Sequence, residues 1–339
     1  MYQFIDRMFA AFQNRKVWAR SPLLKREGQN AQAIGQQVGF HSNGTRRVML
    51  AQFLQFLFSG ITVGATYALA ALGFTLIYNA SNVINFAQGE FIMLGGMLAV
   101  YFSQAGLPLS VALVLAILVP AIVGVLLEKL AIEPVKGAET VTLIIITIGA
   151  SLVIRGLIQV WLGKGTHSLP AFSGDVPIEI LGATLMPQSL WVLGVTALVV
   201  VALWYFFSRT LHGKAMLATS FNRLAAELVG INTSWVLFMS FAMSAALGAV
   251  GGILVTPITL TSYDVGIMLG LKGFVAAVVG GLGNGLGAVL GGLLVGILEA
   301  MGAGYISSAY KDAIPFVLIL FMLFFMPRGL FGGKSTDRV

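Results

Sequence analysis

One run of amide and acid side chains interrupts an otherwise apolar chain: Tyr78–Asn79–Ala80–Ser81–Asn82–Val83–Ile84–Asn85–Phe86–Ala87–Gln88–Gly89–Glu90. Asn82, Asn85, Gln88 and Glu90 offer amide donors, amide acceptors and one negative charge beside a helix break. A carboxylate at membrane depth is costly, so it marks function by default. The set suits contact with a zwitterionic small molecule or with a mobile gate. It equally suits a structural role, in which Glu90 pairs with a cation and the amides cap broken helix ends; both readings stay open. A second run, Asn222–Arg223–Leu224–Ala225–Ala226–Glu227–Leu228–Val229–Gly230–Ile231, lies in the polar, basic loop 208–232 between two apolar spans. Arg223 and Glu227 are four residues apart and share a helical face. Ala225, Ala226 and Gly230 are small enough for a partner's groove to close over them. This is the chemistry of a docking helix.

Other chemistry is missing. Gly333–Lys334–Ser335 is not a phosphate-binding loop, because position 328 is Arg where that loop needs Gly and no strand precedes it. There are no cysteines, and His41, His167 and His212 lie far apart, so neither a thiolate nor a zinc site is expected. Membrane enzymes want clustered histidines or carboxylates, and proton-coupled carriers want them in sequence along one face; neither pattern occurs. Arg155, Lys272, Glu299, Lys311 and Asp312 are scattered, and each reads as half of an interhelical or interfacial ion pair.

The elements that must carry these residues are membrane helices. Of the 339 residues, 58% are hydrophobic and 10% charged. Apolar runs long enough to cross a bilayer recur along most of the chain. Nine segments are placed near 50–78, 84–104, 108–128, 140–162, 189–207, 235–257, 267–283, 285–303 and 312–327. The fold class is an all-α polytopic membrane protein with about 8 transmembrane helices (8–10), one of them broken or re-entrant. The net charge of +7 is concentrated in residues 1–49, where Arg7, Arg15, Lys16, Arg20, Lys25, Arg26, Arg46 and Arg47 face Asp6 and Glu27. That is the positive-inside pattern beside anionic lipid rather than a nucleic-acid signature. Residues 2–18 read as an amphipathic helix on the membrane surface, and 19–45 as a mobile polar stretch.

Loop charges set the orientation. Lys129 with Lys136, Arg209 with Lys214 and Arg223, and Arg328 with Lys334 and Arg338 mark cytoplasmic ends. The loop 163–188, with Lys164 against Asp175 and Glu179 and with Pro170, Pro177 and Pro187, reads as external. Nine full crossings would put the basic N-terminus outside. The expected exception is 84–104, whose polar start is unsuited to lipid; a break within 50–78 is the alternative. Both termini are then cytoplasmic. The domains are a basic extension over 1–49, a transmembrane domain over 50–332 that includes the loop 208–232, and a tail over 333–339.

Glycines mark the expected helix contacts. Gly287 and Gly291, Gly292 and Gly296, and Gly248 and Gly252 are small-xxx-small pairs that let helix backbones approach closely. Such faces can also slide, as a gate must.

Taken together, Val83–Glu90 (VINFAQGE) with Met93–Leu94–Gly95, Glu133–Pro134–Val135, Ala225–Glu227 with Gly230–Ile231–Asn232, Lys272–Gly273–Phe274, Val279–Gly283, Tyr310–Lys311–Asp312 and Met326–Leu330 resemble the LivH-type permease of branched-chain amino-acid ABC importers. The likeness covers roughly residues 50–332; the tail 1–49 departs from it. The resemblance implies an ABC-importer permease fold in a bacterial inner membrane, in which 208–232 is the cytoplasmic coupling segment. It implies partners: a second homologous permease, two cytoplasmic ATPases, a periplasmic substrate-binding protein and membrane lipid, with no nucleic acid. No cofactor belongs to this chain; ATP and Mg would be bound by the partner ATPase. The expected cargo is branched-chain or other hydrophobic amino acids, with urea or short amides as the alternative within the family and an ion-coupled carrier as the alternative outside it.

Overall fold

The computed structural model describes residues 22–332, with side chains from residue 48 onward and residue 136 left out. The surface helix expected over 2–18 and the tail 333–339 lie outside the described residues. The chain divides into two units, Met1–Phe53 and Leu54–Val339. The first is described only as helical backbone from Pro22 and, from Val48, as exposed or half-buried side chains, all apolar but Gln52. Residues 22–45, expected to be mobile, are thus helical. Pro22 is preset for a first helical position, and Lys, Arg, Glu, Gln and Ala recur after it.

Among the described residues eleven α-helices follow one another: α1 (Pro22–Ser81), α2 (Gln88–Gln104), α3 (Leu109–Leu127), α4 (Thr140–Leu162), α5 (Pro187–Arg209), α6 (Leu211–Phe221), α7 (Arg223–Leu228), α8 (Thr233–Thr259), α9 (Val265–Gly280), α10 (Gly285–Tyr305) and α11 (Ala313–Phe325). A π turn, Glu128–Ile132, prolongs α3. Among the described residues six stretches are long and apolar enough to cross a bilayer: Val48–Ser81, Leu109–Val135, Thr140–Leu162, Pro187–Arg209, Thr233–Thr259 and Gly285–Tyr305; α9 and α11 are shorter apolar helices. Every one of the nine apolar segments is therefore a helix. The break considered within 50–78 does not exist, since α1 is unbroken there.

α2 stands apart. At 17 residues and ~1.5 Å per residue it spans about 25 Å, short of the ~30 Å hydrocarbon core. Gln88 through Val100 are all buried, among α3, α4, α8 and α9. A polar start is tolerable here because it meets protein rather than lipid. In the loop 163–186 a small hairpin joins β1 (Ile178–Ile180) to β2 (Ala183–Leu185), antiparallel, with Glu179 opposite Thr184.

The glycines explain how a bundle this apolar is held. A Cβ on Gly292 would strike the backbone of Ala68, and one on Gly296 that of Gly64, so α10 lies directly on α1. A Cβ on Gly287 would strike Gly280, and one on Gly291 would strike Ala276, so a second face of α10 lies on α9. Gly252 and Gly248 do the same for α8 on α2: the first touches the Ile92 carbonyl, and a Cβ on the second would sit 2.9 Å from that of Phe91. Between apolar helices in lipid, such contact supplies the dispersion and shape fit that a hydrophobic force cannot.

Two polar knots tie distant segments. Leu330 N donates to Val279 O (2.9 Å) and Phe331 N to Gly280 O (3.1 Å), while Asn79 Nδ2 donates to Gly283 O at 3.0 Å. The end of α1, the turn after α9 and the segment after α11 meet there. The second knot is ionic. Lys272 Nζ lies 2.7 Å from Glu299 and 2.6 Å from Asp312, and Tyr67 Oη donates to the other Glu299 oxygen at 2.8 Å. It joins α1, α9, α10 and the start of α11.

Candidate functional site: a buried polar cluster and an exposed loop

The run 79–90 resolves residue by residue. Asn82 has φ 56°, and its N–H donates to Tyr78 O at 2.7 Å. It ends α1 in the left-handed conformation that Asn tolerates, and it is exposed. Asn85 is buried; its Oδ1 accepts from Ala87 N at 3.1 Å, shaping the turn into α2, and its Nδ2 has no hydrogen-bond partner. Gln88 is fully buried. Its Nε2 donates to Ser244 O at 3.1 Å, and its Oε1 lies 2.6 Å from Ser244 Oγ, which is also 2.8 Å from Gly73 O. The single hydroxyl proton serves one of those two acceptors at a time. Gln88 thereby fastens α2 to α8 and α1, a structural post.

Glu90 is different. It is 2% exposed, and its Oε1 accepts from Ser151 Oγ at 2.7 Å. Arg155 Nε stands 3.6 Å from that same oxygen, beyond hydrogen-bond range. Glu90 Oε2 and Arg155 Nε have no hydrogen-bond partner. All three side chains line a cavity of about 150 Å³ together with Phe74, Phe86 and Leu271. Of the four residues singled out in the run, Glu90 is thus the one that faces this space. Sequence reasoning missed Ser151 and treated Arg155 in isolation. The available signal was their four-residue spacing on α4, which puts both on one face.

The loop 208–232 folds into α6 and α7. Thr210 caps α6 by accepting from Gly213 N (3.0 Å), and Asn222 caps α7 by accepting from Ala225 N (2.9 Å). Gly230, at φ 89°, closes α7: Ile231 N donates to Ala226 O and Gly230 N to Glu227 O, both at 3.0 Å, the paired bonds of a Schellman stop. Arg223 Nε reaches Glu227 Oε1 at 3.4 Å, and Thr233 Oγ1 donates to that oxygen at 2.6 Å. The Thr233 hydroxyl holds the Glu227 carboxyl below its ordinary range against an opposing desolvation, and Arg223 adds to the lowering.

One expectation fails here. Ala226, expected to face a partner, is 3% exposed and points toward the chain's own α6 and α8, on which α7 packs. The outward face carries Phe221, Leu224, Leu228 and Val229, each more than two-thirds exposed; Ala225 and Gly230 are exposed as well. These large apolar residues in an otherwise polar loop were the signal that the small residues obscured.

Known proteins share this plan. The model of the family described as branched-chain amino acid transport system / permease component matches residues 56–323. LivH, the permease protein of the high-affinity branched-chain amino acid transport system of Escherichia coli K12, is 36% identical over 304 residues, covering 85% of this chain and 98% of LivH. BraD, from the corresponding system of Pseudomonas aeruginosa, is 33% identical over 301 residues, with the same coverage of 85% and 98%. The ribose import permease RbsC of Haemophilus influenzae is similar at a greater distance, 24% identical over 63% of this chain and 65% of RbsC. By the family match over most of the helical region and by more than 30% identity along nearly the full length of LivH and BraD, the chain belongs to the family of branched-chain amino acid transport permease components.

Proposed function

We propose that this protein is the membrane-spanning subunit of a binding-protein-dependent ABC importer that carries branched-chain or other hydrophobic amino acids inward. The observation that carries this reading is the exposed apolar crest Phe221–Leu224–Leu228–Val229, held on two short capped helices. Apolar patches of this kind on a polar loop mark contact sites. A groove in a cytoplasmic ATPase is the partner this crest fits, and rigid caps let its closure pass into α5 and α8. Energy is supplied from outside: two ATPase subunits bind ATP and Mg and hydrolyse the nucleotide. A second homologous permease and a periplasmic binding protein complete the importer, and a bacterial inner membrane is the site of action. Both termini are cytoplasmic in this reading, α2 does not make a full crossing, and the hairpin β1–β2 faces outward.

The test is uptake of labelled leucine, isoleucine, valine, urea and ribose in a strain lacking the importer and complemented with all of its subunits. Leucine, isoleucine and valine enter, and entry ceases when the ATPase is omitted. Uptake confined to urea or ribose would replace the cargo. Uptake by this chain alone in liposomes without ATP would defeat the reading altogether.

A further inference from the structure

We infer that the cavity between α2, α4 and α9 is a two-point binding site for a zwitterionic α-amino acid with a branched aliphatic side chain, with Glu90 receiving the ammonium group and Arg155 the carboxylate. The inference rests on the reading that the chain carries amino acids, and it adds where one is held.

Three observations converge on it. The first is an ion pair left open. Glu90 Oε2 is buried without a partner, and the Arg155 guanidinium approaches Glu90 only to 3.6 Å through an Nε that makes no hydrogen bond. Carboxylate and guanidinium groups usually close on one another through short, often bidentate bonds, and the chain's other interhelical ion pairs are short, with the Lys272 ammonium 2.7 Å from Glu299 and 2.6 Å from Asp312. Ser151 holds Glu90 Oε1 at 2.7 Å, which leaves Oε2 as the free acceptor.

The second is charge balance. The pair is neutral overall but has two poles. An α-amino acid also has two poles, and its ammonium and carboxylate are separated by a single carbon. Inserting it keeps the net charge at zero and gives the buried carboxylate and the half-buried guanidinium a partner each. A lone cation or anion would leave one protein charge uncompensated, which is costly in a low dielectric. Urea can donate to Glu90 and accept from Arg155, but it is uncharged and forms no ion pair with either pole.

The third is shape. The remaining walls are apolar: Phe74, Phe86 and Leu271 inside, with Ile148 and Ile267 at the rim, 44% and 38% exposed. Gly266 and Gly270 add no bulk. An apolar cavity of about 150 Å³, the size found here, accommodates a molecule as large as benzene. A three- or four-carbon branched side chain is smaller than benzene, and an indole is larger.

The experiment uses the assembled importer, with both permeases, its ATPases and its binding protein, in proteoliposomes loaded with ATP. Labelled leucine uptake is measured for the wild type, Glu90→Gln, Arg155→Gln and Ile148→Trp, with ATPase retention measured by pull-down in each. Glu90→Gln and Arg155→Gln are expected to lower initial uptake at least tenfold while retaining the ATPase. Ile148→Trp leaves both charges in place and narrows the mouth from a half-exposed position; it is expected to lower uptake to a similar extent. A second arm needs no variant. Labelled leucine is bound to the wild-type complex without its binding protein and competed with 4-methylpentanoate, which lacks the ammonium, and with isoamylamine, which lacks the carboxylate. Each should compete at least tenfold less well than unlabelled leucine.

Wild-type uptake by all three variants overturns the site. So does equal competition by either one-charge analogue, or no leucine binding to the complex. Absence of leucine uptake by the wild-type importer is a different failure, of the transport reading itself. If Glu90→Gln does not assemble, Ile148→Trp and the competition arm decide.

Discussion

Glu90 and Glu299 are both buried carboxylates, and their surroundings separate their roles. Glu299 is closed on both oxygens, by Lys272 and Tyr67, and Lys272 is bound in turn by Asp312. Such a network holds helices in place. Removing Lys272 leaves Glu299 buried with Tyr67 but no cation, at a cost of up to about 3–5 kcal/mol, while the half-exposed Asp312 is left to solvent. Lys272→Met is therefore expected to lower the melting temperature of the purified complex sharply, and Lys272→Met combined with Glu299→Leu to restore part of the loss. Gln88→Leu removes the post between α2, α8 and α1 and both of its hydrogen bonds to Ser244, and should cost about 1–3 kcal/mol by the same measurement. Glu90→Gln, by contrast, should change transport more than stability. The polar character of the run was legible in the sequence because carboxylates and amides rarely sit at membrane depth. Which of its members faces a cavity was not, because that depends on Ser151 and Arg155 from a helix some sixty positions later.

At the scale of elements, the Arg223–Glu227 pair was readable and the facing of its helix was not. Asn222, Gly230 and the Arg223–Glu227 spacing all act locally, and each does in the structure what its chemistry suggests. The six residues of α7 are too few for a periodicity that distinguishes an inner from an outer side, so Ala226 seemed as available as Leu228. Its burial is set by the path of α6 and α8. Leu224→Arg and Leu228→Arg should leave the permease inserted and folded but lower ATPase retention at least tenfold in a pull-down. Ala226→Trp should instead disturb the loop itself, seen as proteolysis within 208–232. Asn222→Ala removes the cap and should weaken α7 by about 1 kcal/mol.

Glu227 supplies a pH expectation. Its folded pKa lies below the unfolded value, so its contribution is fully present above the unfolded value, near 4.3, and is lost only as pH falls through the lower folded value. ATPase retention should therefore be flat from pH 6 to pH 8. A steep change in that window would assign the anchoring of the loop to another group. The glycine contacts are the other element-scale feature. Spacing identified the pairs, and the structure supplies the partner helices. Gly292→Val and Gly296→Val should each push α10 off α1, and the overpacking should cost about 1–3 kcal/mol or more, read as loss of folded protein in detergent.

Within the unit Leu54–Val339 the helices are tied by two polar knots and carry one open ion pair, and each of the three includes a residue from the segments that first suggested a family: Lys272 and Asp312, Val279, Gly280 and Leu330, and Glu90. Lys272 meets Asp312, and Val279 and Gly280 meet Leu330 and Phe331; fragments remote in sequence become single contacts. The nine apolar helices were legible because hydropathy alone marks them, and the burial of α2 was foreshadowed by its polar start. Topology in the membrane gives a further expectation. With no native cysteine, single cysteines at Ser42, Ser173 and Ser335 should show only Ser173 reacting with an impermeant thiol reagent in intact spheroplasts. Labelling at Ser42 would mean that α2 crosses fully.

The central claim is that this chain moves an amino acid only when an ATPase works on its exposed loop. Its most direct measurement is labelled leucine uptake into proteoliposomes holding the assembled importer, with ATP enclosed or withheld, for the wild type and Leu228→Arg. The account predicts uptake by the wild type with ATP and none without it, and at least a tenfold loss in Leu228→Arg with the permease still folded. Uptake that proceeds without ATP, or that is unchanged in Leu228→Arg, would contradict it.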